Sequence, residues 1–121
     1  MLSLQIKNIY RQINMNKVNA LFAYGTLQPG EEADHYLKQI SGTWHDAYIL
    51  GKYISDSKIG YPAIQLNAKG KKIKGKLFYS IELSKIIKNI DAYEGDEYKR
   101  SIANVYLTNG CMQSAYVYEL K

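Results

Sequence analysis

One cysteine and two prolines in 121 residues leave this chain with almost none of the residues that staple or brace small proteins. Cys111 alone cannot close an internal disulfide, so a disulfide-stapled secreted scaffold is excluded and a reducing compartment is expected. No run approaches the roughly 20 apolar residues that span a bilayer. The opening stretch MLSLQIKNIYRQINMNK lacks the unbroken apolar segment and small-residue cleavage pattern of a secretion signal. The expectation is a cytoplasmic protein with no membrane partner. His35, His45 and Cys111 are scattered, with no Cys-x-x-Cys or His-x-x-x-His spacing, so no metal site is expected. Neither a P-loop nor a G-x-S-x-G elbow occurs, which removes the support for nucleotide hydrolysis and for acyl transfer through a side-chain nucleophile.

What is present is a globular composition, 46% hydrophobic and 22% charged. Its aromatic share rests on 12 tyrosines against two phenylalanines and one tryptophan. Tyrosine suits half-buried strand positions, with the ring packed inward and the hydroxyl turned to water or a ligand, so a sheet-rich fold is expected. The formal net charge of +5 comes mainly from dispersed lysines. That pattern lacks a basic footprint, and nucleic acid is not an expected partner.

The chain reads as a domain over residues 18–121 preceded by an N-terminal arm, residues 1–17, in which Leu4, Ile6, Ile9 and Ile13 form a weak helical pattern. Ala20 to Tyr24 is a short apolar run ending at Gly25, the mark of a buried strand entering a turn. Ala33, Tyr36, Leu37 and Ile40 recur at helical spacing and predict a helix over 31–40, with Glu31 and Glu32 in its first turn. Strands are expected over 42–53 and 61–66. From Lys69 to Tyr79, Ile73, Gly75, Leu77 and Tyr79 alternate with Lys72, Lys74, Lys76 and Phe78, a strand with one solvated lysine face. Leu83, Ile86, Ile87 and Ile90 predict a second helix stopped near Gly95. Two strands, 99–107 and 112–120, flank Thr108-Asn109-Gly110, a hairpin signal. Cys111, beside that turn, reads as a small packing residue. About six strands and two flanking helices without strict alternation indicate an α+β fold with a small mixed β-barrel.

Two segments carry candidate chemistry. In FAYGTLQPG, Gly25 permits either a tight turn or close approach of backbone to a ligand, with successive N–H groups able to hold a carboxylate or oxyanion. In DAYEGDEYKR, Glu94 stands near a helix C-terminus, where the dipole disfavours its charge and partial burial would raise its pKa; a solvated terminal glutamate is the competing reading. Residue types alone leave both choices open.

Taken together, four marks in order resemble the gamma-glutamylcyclotransferase-like family, in particular its short bacterial and gamma-glutamylamine branch. They are Tyr24-Gly25-Thr26-Leu27, Tyr61-Pro62-Ala63, a strand with Ile73, Gly75, Leu77 and Phe78, and a segment with Asp91, Glu94, Gly95, Tyr98 and Arg100. Lys76 stands where an acidic residue is common in that family, and Phe78 where tyrosine is usual. The resemblance implies a barrel whose Tyr24 to Leu27 loop faces Glu94, the latter a general acid/base. Tyr24, Gly25, Thr26, Leu27, Tyr61, Pro62 and Tyr98 are the implied substrate-binding residues. The implied reaction releases 5-oxoproline and a free amine from a gamma-glutamyl amine or amino acid, with no cofactor. Gln28 after the loop differs from the YGSN-type loop of glutathione-directed enzymes, so glutathione is not the expected substrate. The alternative is a non-catalytic module that binds a gamma-glutamyl compound or amino acid on the same fold.

Overall fold

The computed structural model describes residues 18–54 and 63–121. Strands β1 (Ala20–Ala23), β2 (Thr43–Ile54), β3 (Ala63–Leu66), β4 (Lys71–Tyr79), β5 (Tyr98–Leu107) and β6 (Met112–Leu120) form one sheet in the order β3-β2-β4-β1-β6-β5. An additional pairing of β2 with β5, Ala47 opposite Leu107 and Tyr48 opposite Tyr106, closes five of these strands into a barrel. The sheet is mixed because β1 runs parallel to β6, with Leu21 opposite Tyr116. The sixth strand, β3, extends the sheet on β2. Its tip is tied to β6, where the buried Glu119 carboxylate accepts the Leu66 N–H at 3.2 Å. The expected N-terminal arm, and Tyr61 and Pro62, lie outside the described residues.

Two apolar clusters explain the patterning. Phe22, Ile49, Ile73, Leu77, Val105 and Val117 are among the residues that fill the barrel. Leu21, Leu37, Phe78, Leu83, Ile87 and Ile90 belong to a second cluster on its outside, beneath the helical segments. Strand β1 is buried along its whole length because its alternate side chains enter both clusters, which is why Ala20 to Ala23 is continuously apolar. Gly75 is needed for close approach: a Cβ there would run into the Ala23 carbonyl and the Phe22 ring.

The second cluster also explains where the alternation expected for β4 breaks. Ile73 and Leu77 face inward as expected, but Phe78, placed by alternation among the lysines, is buried under the helical layer against Trp44, with ring centroids 4.8 Å apart. Tyr79, expected inside, is exposed. A strand face covered over part of its length changes character where the cover begins. Lys76 does stand outside, ion-paired to Asp46 across the β2–β4 ladder.

The helix expected over 31–40 is a 3₁₀-helix, Asp34–Gln39. Only Ala33 and Leu37 of this region are fully buried, so two 3₁₀ turns suffice. Asp34, not Glu31 or Glu32, is the acidic residue of its first turn, accepting the Gly30 N–H at 3.0 Å and pairing with Lys38 at 3.0 Å. The second helix comprises a 3₁₀ turn, Leu83–Lys85, and α1, Ile87–Glu94. Eight residues are too few for a helix to persist alone in water. Docking of Leu83, Ile86, Ile87 and Ile90 into the outer cluster therefore holds α1 in place. It stops where expected: Gly95 adopts φ +80 and its N–H returns to the Asp91 carbonyl at 3.1 Å. Cys111, in the turn joining β5 to β6, is exposed and not packed. No helix among the described residues is long and apolar enough to cross a membrane.

Candidate active site

The stop at Gly95 leaves Glu94 at the very end of α1, and the same place in space is reached by the loop that follows β1. Between them lies a cavity of about 330 Å³, lined by both segments and by part of β1, β5 and β6. Of the residues expected to hold substrate, the structure brings Tyr24, Gly25, Thr26, Leu27 and Tyr98 to this cavity together with Glu94. Tyr61 and Pro62 fall outside the described residues. Phe22, Ala23, Tyr93, Glu97 and Tyr118 line it as well, without having been singled out from the sequence.

Each wall has its own physical character. On the loop side, the turn is held by Gln28 N–H donating to the Gly25 carbonyl at 3.1 Å and Ala33 N–H donating to the Thr26 carbonyl at 2.8 Å. These bonds use carbonyls. Among the described residues no protein acceptor is found for the N–H groups of Gly25, Thr26 and Leu27, three successive residues that line the cavity. Gly25 does not have positive φ, and a Cβ built on it meets nothing within 4 Å. Neither turn geometry nor packing therefore calls for glycine here, and the space a Cβ would take is open. The Thr26 hydroxyl is 2.8 Å from the Tyr93 hydroxyl, which ties the loop to the end of α1.

On the helix side, Glu94 is partly buried, and among the described residues nothing donates a hydrogen bond or forms an ion pair to its carboxylate. Burial alone pushes its pKa from 4.5 to about 7. Three residues earlier, Asp91 is in the opposite situation. The Tyr118 hydroxyl donates to its Oδ1 at 2.6 Å and the Arg100 Nε lies 3.5 Å from the same atom. The Arg100 guanidinium also rests over the Tyr116 ring, 4.6 Å from its centroid.

The tyrosines divide by task. Tyr24 lines the cavity, but its hydroxyl donates to the Tyr118 carbonyl at 2.6 Å, so its first duty is to join the loop to β6. Burial, helped by the neighbouring Tyr98 and Glu94, holds its phenol well above the ordinary range. Tyr98 is likewise raised by burial, then by Glu94 and Glu97. Lys76 and Phe78, the departures noted on β4, do not line the cavity.

Chemically, the cavity combines free backbone donors suited to a carboxylate or oxyanion with one carboxyl group able to exchange a proton near neutrality. A family model described as "Gamma-glutamyl cyclotransferase, AIG2-like" matches residues 21–121. Solved structures share the fold. YkqA from Bacillus subtilis is 24% identical with a TM-score of 0.68, over 87% of this chain and 36% of that one. A second is an AIG2-like protein from Mus musculus, 17% identical with a TM-score of 0.62, over 84% of this chain and 76% of that one. A third, an Arabidopsis thaliana protein solved in solution, is 21% identical with a TM-score of 0.70, over 86% of this chain and 62% of that one. The chain thus spans little more than a third of the Bacillus protein. No curated protein matches it in sequence.

Proposed function

Since the chain belongs to the gamma-glutamyl cyclotransferase, AIG2-like family, we propose that it is a gamma-glutamyl cyclotransferase acting on a small gamma-glutamyl amine or amino acid. The observation that carries this reading is the meeting, in one cavity, of a partly buried Glu94 and the Gly25 to Leu27 loop, with no hydrogen-bond partner among the described residues for the Glu94 carboxylate or for the three loop N–H groups.

In a gamma-glutamyl amide the substrate contains its own nucleophile. The alpha-amine attacks the side-chain carbonyl carbon, a five-membered ring closes, and the bond to the attached amine breaks. The protein has only to hold the chain curled and move protons. Once the alpha-ammonium has lost one proton, the free amine adds to the carbonyl. Glu94 takes the second proton from the ring nitrogen and delivers it to the leaving nitrogen. The products are 5-oxoproline and the amine, and the two protons lost by the alpha-nitrogen end on that amine. A carboxyl group with a pKa of about 7 suits both halves of this exchange. The Gly25 to Leu27 amides hold the alpha-carboxylate or the oxygen that becomes negative during addition, as fixed dipoles that need no reorganisation. No step calls on a metal or cofactor.

The test is to incubate the protein with a panel of gamma-glutamyl amines and dipeptides and to follow 5-oxoproline. Release from at least one of them, in a chelating buffer, is the expected result. Binding of these compounds without any 5-oxoproline would replace the reading with that of a non-catalytic binding module.

A further inference from the structure

The two walls of the cavity are tied to β6 separately. At the head of the loop the Tyr24 hydroxyl donates to the Tyr118 carbonyl at 2.6 Å, and on α1 the Asp91 carboxylate accepts the Tyr118 hydroxyl at 2.6 Å. The loop's own backbone bonds close within it: Gln28 N–H to the Gly25 carbonyl, Glu31 N–H to the Gln28 carbonyl at 3.0 Å, and Ala33 N–H to the Thr26 carbonyl. The walls meet directly in one pair of hydroxyls, those of Thr26 and Tyr93, 2.8 Å apart and either able to donate. Tyr93 immediately precedes Glu94. Its ring lies 5.1 Å from that of Tyr36 on the 3₁₀-helix, and Tyr36 packs in turn against the outer apolar cluster. The hydroxyl is therefore carried by a ring braced on the loop's side of the cavity, although the residue itself is exposed. The cyclisation gives this hydroxyl no proton to move.

In that reaction Glu94 must reach the nitrogens of a molecule whose carboxylate or oxyanion lies at the loop. The separation of Glu94 from the loop is thus a reaction coordinate in its own right, and an error of about 1 Å in such a distance can cost as much as 10²-fold in rate. We propose that Tyr93 is a positioning residue: through its hydroxyl bond to Thr26 it fixes the Gly25 to Leu27 loop at one distance from Glu94. A compound held by the loop then presents its nitrogens to that carboxyl group. This assignment rests on the cyclotransferase reading above. Tyr93 acts through Thr26, and the pair stands at the surface, where water replaces a lost hydroxyl. The effect is accordingly modest, about fivefold in kcat, as for one ordinary hydrogen bond.

The experiment compares wild type, Tyr93→Phe, Thr26→Val and the double variant. Tyr93→Phe keeps the ring on Tyr36 and removes the hydroxyl, and Thr26→Val keeps the side chain's shape. Two readouts are taken: kcat and KM on a gamma-glutamyl amide that wild type turns over, and amide hydrogen exchange at Gln28 and Ala33, whose N–H groups close the loop. The Ile90 N–H, bonded to the Ile86 carbonyl on α1, is the internal reference. Each single variant should lose about fivefold in kcat with KM nearly unchanged, and the double variant should lose no more than the worse single, since both remove one bond. Exchange at Gln28 and Ala33 should quicken about fivefold while Ile90 stays as it was. An unchanged kcat in Tyr93→Phe overturns the assignment. So do losses that multiply in the double variant, which would give the two hydroxyls separate tasks, and so does equal quickening at Ile90, which would mean that α1 as a whole has loosened. If wild type cyclises none of the amides, it is the cyclotransferase reading that fails, and exchange still decides about Tyr93. Quickening confined to Gln28 and Ala33 supports its hold on the loop, and unchanged exchange overturns it.

Discussion

Asp91 and Glu94 sit three residues apart on one short helix, and the structure treats them in opposite ways. Asp91 receives the Tyr118 hydroxyl at 2.6 Å and lies 3.5 Å from Arg100, so it belongs to the frame that joins α1 to β5 and β6. Glu94 is half-buried without a described partner and has a pKa raised to about 7. A carboxylate with donors around it is held in one place by them. One that is half-buried without donors has its pKa raised toward neutrality, which suits proton transfer. On the proposed reading, the motif spacing that places both acids on one helix separates a structural role from a chemical one.

The largest effect should come from breaking the chemical member of the pair. Glu94→Gln keeps the shape and removes the proton carrier, so turnover should fall on the order of 10² to 10⁴ while a slow substrate still binds with near wild-type affinity. Full 5-oxoproline release by Glu94→Gln would move the chemistry to another residue. Breaking the structural member should instead cost stability. Asp91→Ala leaves the largely buried Tyr118 hydroxyl and Arg100 without their shared acceptor, a loss of about 1 to 3 kcal/mol in urea unfolding. If Asp91→Ala left stability unchanged and abolished turnover, the two roles would have to be exchanged.

Much of this arrangement was legible in the sequence wherever the signal was local. The apolar run of β1, the Asn109-Gly110 hairpin and the helix stop at Gly95 all depend on neighbours within a few residues, and all appear where expected. The failures are non-local. Phe78 and Tyr79 exchange expected environments because a helical layer, built both from the segment just after β4 and from Ala33 and Leu37 before β2, covers one end of β4. The helix expected over 31–40 is a 3₁₀-helix that buries only Leu37 and Ala33 fully, with Tyr36 and Ile40 packed partly against the same cluster. In the cavity, the loop and Glu94 stood out through their glycine neighbours and the family resemblance. Tyr118 did not, since it reaches Tyr24 only through the parallel pairing of β1 with β6, across 94 positions of chain. Nothing periodic in either strand announces that meeting.

A smaller effect is expected at the opposite wall. Gly25→Ala meets no atom within 4 Å and no positive φ, so its thermal unfolding should match wild type, whereas binding of a gamma-glutamyl amide should weaken about tenfold if ligand fills that space. Unaltered binding would reduce the loop to a connection. The smallest effect is on stability against pH. Because the folded-state pKa of Glu94 is raised from 4.5 to about 7, its burial costs little below pH 4.5, destabilises the fold increasingly between 4.5 and about 7, and levels off above that. Glu94→Gln should therefore equal wild type in stability at pH 4 and exceed it by about 1 kcal/mol at pH 8, after allowance for partial exposure. A gap of the same size at both pH values would show that Glu94 does not titrate as described.

The central claim, that Glu94 exchanges the protons of the reaction, is tested most directly by the pH dependence of kcat/KM on a gamma-glutamyl amide that turns over. The account predicts a rising limb with an apparent pKa of about 7, set by the free enzyme and absent from the residual activity of Glu94→Gln. A limb centred near the ordinary carboxylate value of 4.5, or one at 7 that persists in Glu94→Gln, would contradict it.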